Sequence, residues 1–431
     1  MIGRRAIEHL DLEALETAAR RSVLQLAARA IERCLNADTS DCAGPQLPCA
    51  CGASARYVGR RRKSFQSVLG PLELERAYYH CPNCQQGFFP RDRSLGLENT
   101  SLSPAVTRMI AAVGALVSFQ EGSELLQELA ALSVQAKQVE RVAERLGQEV
   151  AEQEYHDLAP TGDELLPKTL YLGLDGTGIP LRPSELLGRT GKQADGSAKT
   201  REVKLCTIWS AESRDADGLP VRDQGSVTYS AAIESAASPN ADRSEFTDRV
   251  LREATRRCFC AASRSVVVGD GAPWIWNIAH ELFPGAIQIV DRFHAKQHLS
   301  TVAKSVYGPT DQRAELWAKR RHDELDEGRF DTLLKALRRH ASTCEEARKC
   351  VGYIQTNRSR MRYPEFHAQG LCTSSGVVEA GCKVVVGTRL KRAGMHWTLR
   401  GSNAIIALRC CRLSGHFEDF WESRSRPRAA A

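Results

Sequence analysis

The sequence predicts an α/β protein: a strand-rich centre, preceded by helices and a small cysteine-bearing β module. Three observations carry that expectation. Between Leu170 and Val290, short apolar runs alternate with helical stretches in the order strand, strand, strand, helix, strand, helix, strand. Before them, apolar residues recur at helical spacing on both sides of a short turn. Ahead of those helices, two close cysteine pairs bracket a stretch that reads as strands. At 431 residues the chain is long enough for two to four domains.

From about Ile7 to Asn36, Leu10, Leu15, Ala18, Val23, Leu26, Ala27 and Ile31 recur among charged neighbours, the pattern of an amphipathic helix. Its apolar residues serve either the core or a dimer contact. Next come Cys49-Ala50-Cys51 and Cys81-Pro82-Asn83-Cys84. A turn at Gly70-Pro71, between SFQSVL and LELERAYYH, would fold the spacer into a hairpin and bring the two pairs together. Two close pairs with a β-rich spacer is the layout of a four-thiolate zinc site, with Cys42 and His80 as alternative ligands. One structural Zn2+ would stabilise a module too small to fold on its apolar core alone. It would also present Arg60, Arg61, Arg62 and Lys63 on a rigid loop open to phosphates.

Ser103-Pro104 opens a helix, a capping hydroxyl followed by proline at the first helical position. FQEGSELLQELAAL and VQAKQVERVAERLGQEVAEQ follow, the second capped by Ser133. Two helices joined by a short turn suggest a helix-turn-helix that sets Gln135, Lys137, Gln138 and Arg141 toward a DNA groove. The prolines and acids from Ala159 to Lys168 read as a linker. From Leu299 to about His367 the chain reads as a polar helical block.

Three carboxylates sit in settings suited to metal. Asp175 in LYLGLDGTG and Asp270 in SVVVGDGAPWIW follow apolar runs and precede glycine, where a strand ends and the backbone turns. Glu379 in SSGVVEAGCKVVVG follows a capping Ser374-Ser375, so the start of a helix favours its ionised form. Carboxylates on rigid supports can converge on a pair of hard divalent cations, and such a pair can cut and rejoin phosphodiesters. Asp291 competes as third ligand, and with His294 it could bind metal, hold phosphate or brace the site. Trp274, Trp276 and Trp397 lie near these motifs, and core packing is preferred for them over stacking on bases.

Charge is mixed, 59 basic against 52 acidic residues, for a net +7 and a pI near 8.7. That permits a polyanionic partner without demanding one. The local clusters Arg60 to Lys63, Lys319-Arg320-Arg321, Arg338-Arg339 and Arg389-Leu390-Lys391-Arg392 favour phosphate contacts. The fifteen cysteines do not suggest a disulfide framework, and Cys206, Cys258, Cys344 and Cys410 read as small buried hydrophobes. No signal peptide or membrane span is visible, which points to a soluble cytoplasmic protein.

The order LDGTG, GDGAPWIW, VDRFHAKQH, SSGVVEAGCK, MHW and GSNAIIALR resembles the ISKra family of bacterial insertion-sequence transposases, relatives of the Mutator-like transposases. The resemblance implies an RNase H-like catalytic domain with a helical insertion, behind an α-helical and zinc-binding DNA-binding region. It implies a DDE triad at Asp175, Asp270 and Glu379, two Mg2+ or Mn2+ ions, and an auxiliary Asp291–His294 pair. In that scheme Asp175 bridges both ions, while Asp270 and Glu379 each hold one side. Water cuts the element end to free a 3′-hydroxyl, which then attacks target DNA directly. The partners implied are the terminal inverted repeats and target DNA, met by a homodimer or higher assembly near the nucleoid. Arg60 to Lys63, Lys137, Arg141, Arg389, Lys391 and Arg392 are the expected DNA contacts. The expected domains are 1–40 helical, 41–100 zinc-binding, 101–160 helix-turn-helix-like, 166–298 first catalytic part, 299–370 helical insertion, and 371–431 catalytic helix and tail.

Two rival readings use part of this set. A non-catalytic zinc-dependent DNA-binding regulator leaves the carboxylates and the long α/β region unexplained. An RNase H-like nuclease or resolvase uses the carboxylates but not the two upstream modules. A tyrosine recombinase does not fit, because the last tyrosine is Tyr363 and no basic constellation surrounds it.

Overall fold

The computed structural model describes residues 11–159, 166–191, 193, 196–238 and 243–425. The start of the first helix (Ile7 and Leu10) and most of the acidic linker lie outside these residues. The chain forms two compact units, Met1–Ala143 with Glu418–Ala431, and Glu144–Phe417.

In the first unit, α1 (Leu12–Ala37) is opened by Asp11, whose carboxylate accepts from the Ala14 N–H at 3.1 Å. Then β1 (Gln46–Pro48), β2 (Ser54–Ser67), β3 (Gly70–His80) and β4 (Gly87–Phe88) form an antiparallel sheet in sequence order. The hairpin turn falls at Val68-Leu69 rather than Gly70-Pro71. Ser67 pairs with Gly70 and Gln66 with Pro71, so both expected turn residues open β3. Proline is tolerated there because it stands at the start of its strand. α2 (Pro90–Ser94) follows, then α3 (Pro104–Leu116), which Ser103 caps as expected.

α4 (Phe119–Ala130) begins with a capping box of Ser118 and Glu121. α5 (Ala136–His156) begins later than expected, and Ser133 does not cap it. Instead the Gln135 carbonyl accepts the N–H groups of Gln138 and Val139. The intervening turn stays non-helical because Leu132 and Val134 are pulled into the core. The boundary between the units falls within α5.

The second unit is built on β5 (Thr169–Pro180), β6 (Thr200–Ser210), the short ribbon β7 (Ser213–Arg214) and β8 (Pro220–Val221), and β9 (Thr228–Ala232). α6 (Glu245–Arg256), β10 (Arg264–Gly269), α7 (Pro273–Leu282) and β11 (Ile287–Val290) complete its first part. Five strands form one sheet in the order β11-β10-β5-β6-β9. β10 runs parallel to both β5 and β11, while β6 runs antiparallel to β5 and β9. The parallel, buried pairing of β10 and β11 follows from two short apolar strands joined by a helix.

After β11 come α8 (Arg292–Tyr307), α9 (Gln312–Asp326), α10 (Phe330–Arg338), α11 (Glu345–Asn357) and α12 (Tyr363–Ala368). Next are α13 (Gly376–Gly381), one π-helical stretch (Cys382–Gly387), α14 (Thr388–Leu390), α15 (Leu399–Leu413) and α16 (Phe417–Ser425). The block after Leu299 is helical, but its inner face is not polar. Leu299, Leu325, Leu333, Leu337, Ile354 and Phe366 are buried in the same cluster as Leu172, Val267 and Ile289 of the sheet. Trp276 and Trp397 are also buried, so core packing holds for both.

Candidate functional site

The cysteine site arises from local geometry. The register Arg56↔His80 aligns the open ends of β2 and β3. Gly52 adopts φ +85° and its N–H bonds back to the Cys49 carbonyl at 2.9 Å, folding the first pair into a tight loop. Beyond β3, the Cys81 N–H bonds the Gln86 carbonyl at 2.8 Å and folds the second pair back. The ligand atoms of Cys49, Cys51, Cys81 and Cys84 then all lie within 4.8 Å of one another, a cluster that could hold a zinc ion. The Ala53 N–H and the Asn83 side chain lower the Cys51 thiol to about 6. At Cys84 the Gln86 N–H pulls downward, but burial and the neighbouring sulfurs push the thiol up to about 12. Cys42 and His80 stand outside this cluster.

The basic run beside it does not lie on a loop. Arg60, Arg61, Arg62 and Lys63 are inside β2, paired with Ala77, Arg76, Glu75 and Leu74. Arg60 bonds Asp41 at 3.0 Å, Arg62 bonds Glu75 at 3.0 Å, and Lys63 bonds Asp92 at 3.1 Å. The Arg61 guanidinium lies 3.8 Å from the Tyr78 ring centroid. Their alternation along a strand sends them to opposite faces, which a loop reading overlooks.

The carboxylate site is assembled from distant parts of the chain. Asp175 lies within β5, not at its end: it pairs with Leu205, and the strand continues to Pro180. Gly176, which suggested an end, lies inside the strand, and other glycines nearby allow close packing. A Cβ on Gly173 would fall 2.1 Å from Val378, so glycine lets α13 settle onto β5. Gly381 makes the same kind of approach, since a Cβ there would fall 2.8 Å from Leu205. Val378, beside Glu379, is a core residue as its apolar character suggests, whereas sequence reading missed Gly173 and Gly381, although small residues flanking both acids carried the signal.

Asp175 accepts from the Gly176 N–H at 2.7 Å and from the Cys382 thiol at 3.2 Å. Burial holds its carboxyl above the usual carboxylate range, the two donors oppose that, and the Asp270 charge adds to it. Asp270 directly follows β10, as expected, and its carboxylate accepts from the Ala272 N–H at 2.8 Å. Tyr353 donates its hydroxyl to the Asp270 carbonyl at 2.7 Å and fills the space beside Gly271, which adopts φ +102°.

Glu379 lies in the first turn of α13. No side chain of Ser375 caps that turn. Asp291 accepts from the Ser375 N–H, and Ser374 Oγ accepts from the Gly376 N–H at 3.1 Å. Asp291 also accepts from the His294 N–H at 2.7 Å and is buried, so both of its oxygens are engaged. That arrangement makes it a brace between α8 and α13. His294 Nε2 stands 3.1 Å from a Glu379 oxygen. One turn on, His298 packs against Tyr353 with ring centroids 4.3 Å apart, and burial followed by the His294 charge lowers its pKa. Sequence reading did not single out His298, Tyr353 or Cys382.

Asp175, Asp270, Glu379 and His294 thus face one neighbourhood, linked by contacts or charge. Their ligand atoms are not as tightly gathered as the sulfurs: among the described residues, the four cysteines form the one group within 4.8 Å. Of the other expected DNA contacts, Lys137 is exposed and bonds Glu140 at 2.7 Å, and Arg141 is exposed. Lys391 and Arg392 are also exposed, with Lys391 bonded to Thr177. Arg389 is not available to DNA at all. It is 0% exposed, with its guanidinium 5.1 Å from the Trp397 ring centroid and 3.5 Å from Met395 Sδ.

These features define a mixed α/β protein carrying a four-cysteine cluster that could bind metal. Residues 5–424 match the family described as uncharacterised protein family UPF0236, and the chain belongs to it. No curated protein matches. Among solved structures, the chain has a weak likeness to one titled Drosophila P element transposase strand transfer complex, at 10% identity. The match covers 78% of this chain and 84% of that one, with a TM-score of 0.27. No helix among the described residues is long and apolar enough to cross a membrane.

Proposed function

We propose that this chain is a DDE-type DNA transposase with an RNase H-like catalytic unit, cutting element ends and joining them to target DNA. The observation that carries the reading is the placement of the acids on the sheet. Asp175 lies on the central strand, Asp270 just past the adjacent parallel strand, and Glu379 on a helix packed against the central strand. Three antiparallel strands continued by two parallel ones support the RNase H-like assignment.

The donor set suits a hard divalent cation. All three ligands would be carboxylates, and burial of Asp175 beside a second acid disfavours its charge unless a cation is present. Magnesium or manganese held by Asp175, Asp270 and Glu379 would supply activation of water and neutralise charge on the phosphate. The protein's own groups set up that chemistry. The Gly176 N–H and Cys382 thiol fix the Asp175 carboxylate, the Ala272 N–H fixes Asp270, and His294 holds Glu379. Asp291 orients the turn that carries Glu379. Lys391 and Arg392, at the end of the same segment, are exposed to engage the DNA backbone. Lys137 and Arg141 at the start of α5 are proposed to read the element end. One zinc ion at the four cysteines would hold the β module together.

Cleavage of a labelled element end with magnesium or manganese tests the reading. Asp175→Asn and Asp270→Asn should each lower cleavage by at least about 100-fold, the scale of losing one group that stabilises transition-state charge. Cutting at the parental rate by either variant overturns the assignment.

A further inference from the structure

From Gly376 to Leu390 the chain is one helix in three parts: α13, the π-helical stretch and α14. Buried side chains recur along it every four residues, at Val378, Cys382, Val386 and Leu390. An α-helix does not keep that spacing on one side. It advances about 100° per residue, so residues twelve apart end about 120° apart around the axis. The π stretch takes up about one extra residue, which cuts the offset to about 20°. The same correction acts on the outer side of the helix. There Glu379, Lys383 and Lys391 are separated by four and then eight residues, with Gly387 between the lysines, and both lysines are exposed.

The wide turn is held by another helix. Widening it draws carbonyls out of the α-helical ladder, and buried carbonyls need donors. Arg409, buried on α15, donates Nε to the Val385 carbonyl at 2.7 Å. Its Nη2 donates to the Val384 carbonyl, and to Thr388 Oγ1 at 2.8 Å. Past the turn, Lys391 donates to Thr177 Oγ1. Thr177 is two residues beyond Asp175 on β5, and so on the same face of the sheet.

We propose that Arg409 is a positioning residue for DNA: it locks the π turn that keeps Lys383 and Lys391 in line with Glu379, as a track for the phosphates of one strand. This role rests on the DNA-cutting function proposed above and adds two residues to it. Lys383 becomes a phosphate contact, and Arg409 the group that holds Lys391 in register. Twelve steps of about 1.5 Å make the track about 18 Å long, room for several phosphates. Were the turn to close to an α-helix, Lys391 would swing about 100° around the axis, away from Glu379.

The slope of log Kd against log salt for a labelled random-sequence duplex, measured without divalent metal, tests this role, because it counts phosphate contacts. Lys383→Gln and Lys391→Gln, both at exposed positions that folding tolerates, should each lower the slope by about one. Arg409→Met should also lower it by about one, although a buried guanidinium releases no counterions of its own. Arg409→Met/Lys391→Gln should lose no more than either single variant. Deleting Val384 from the Arg409→Met chain closes the turn to an α-helix with Lys391 back in line, and should restore the parental slope. A parent that binds no duplex refutes the proposed function itself, and this role with it. A parent that binds, but whose slope is unmoved by Lys383→Gln or Lys391→Gln, refutes the track alone. An Arg409→Met slope equal to the parent's, or a loss that adds fully to that of Lys391→Gln, overturns the positioning role. So does an Arg409→Met chain that fails to fold and that the deletion does not recover, since Arg409 then serves stability only.

Discussion

The cysteine cluster and the carboxylate site are assembled by opposite routes. The four sulfurs come from positions 49 to 84 and meet at the open end of one hairpin, held by two tight backbone loops. The acids come from positions 175, 270 and 379 and meet only because a five-stranded sheet sets β10 beside β5 and a helix settles onto both β5 and β6. Local geometry fixes the first site, whereas the second depends on packing across most of a unit. The difference shows in the result: the sulfurs gather within 4.8 Å and the carboxylates do not. A site of the first kind should fail all at once when a ligand is removed. One of the second kind should also be sensitive to residues that merely hold its supports in place.

The largest effect is expected at the cysteines. Cys81→Ser with Cys84→Ser should remove one equivalent of zinc and unfold the β module, because metal binding and folding of a small module are one equilibrium. Elemental analysis and limited proteolysis across residues 49–84 check this. Unchanged metal content would move the site elsewhere and weaken the contrast. An intermediate effect is expected at Gly271, where the backbone is left-handed and an added Cβ would fall 2.4 Å from the Tyr353 ring. Gly271→Ala should cost about 1–3 kcal/mol in a melting experiment and, under the proposed function, reduce DNA cleavage with it. Measured in a Tyr353→Ala background, which has its own cost, Gly271→Ala should cost less, because the clash is gone and only the strain remains.

The smallest effect is expected at Asp223, a locally held acid away from both sites. Burial alone would raise its pKa, but hydrogen bonds from Ser210, Ser213 and the Glu212 N–H lower it to about 2. A depressed acid contributes stability above its ordinary pKa, near 3.8, which is lost as pH falls toward 2. Asp223→Asn should therefore flatten the acid limb of the stability curve between about pH 4 and pH 2. An unchanged limb would show that these hydrogen bonds hold nothing in place.

Legibility in the sequence followed the same division. The cysteine cluster, the hairpin, the Ser103 cap and the parallel β10–β11 pair are readable because each depends on neighbours a few residues away. The position of Asp175 was misread because Gly176 looks like a strand end, whereas Gly173 marks where another helix approaches. Ser133 looked like a cap because its hydroxyl was visible, while the burial of Leu132 and Val134 that delays the helix was not. Arg389 looked like a DNA contact because it sits in a basic run. Only the fold shows its guanidinium against Trp397 inside the protein. His298 and Tyr353, far apart in the chain, become partners only once α8 and α11 pack together.

The helices between Leu299 and Phe366 share their apolar interior with the sheet. A gene shortened to join β11 directly to α13 would therefore not yield a trimmed but folded protein. It would strip the cover from Val267, Ile289 and their neighbours, and the product would be expected to collect in inclusion bodies during expression.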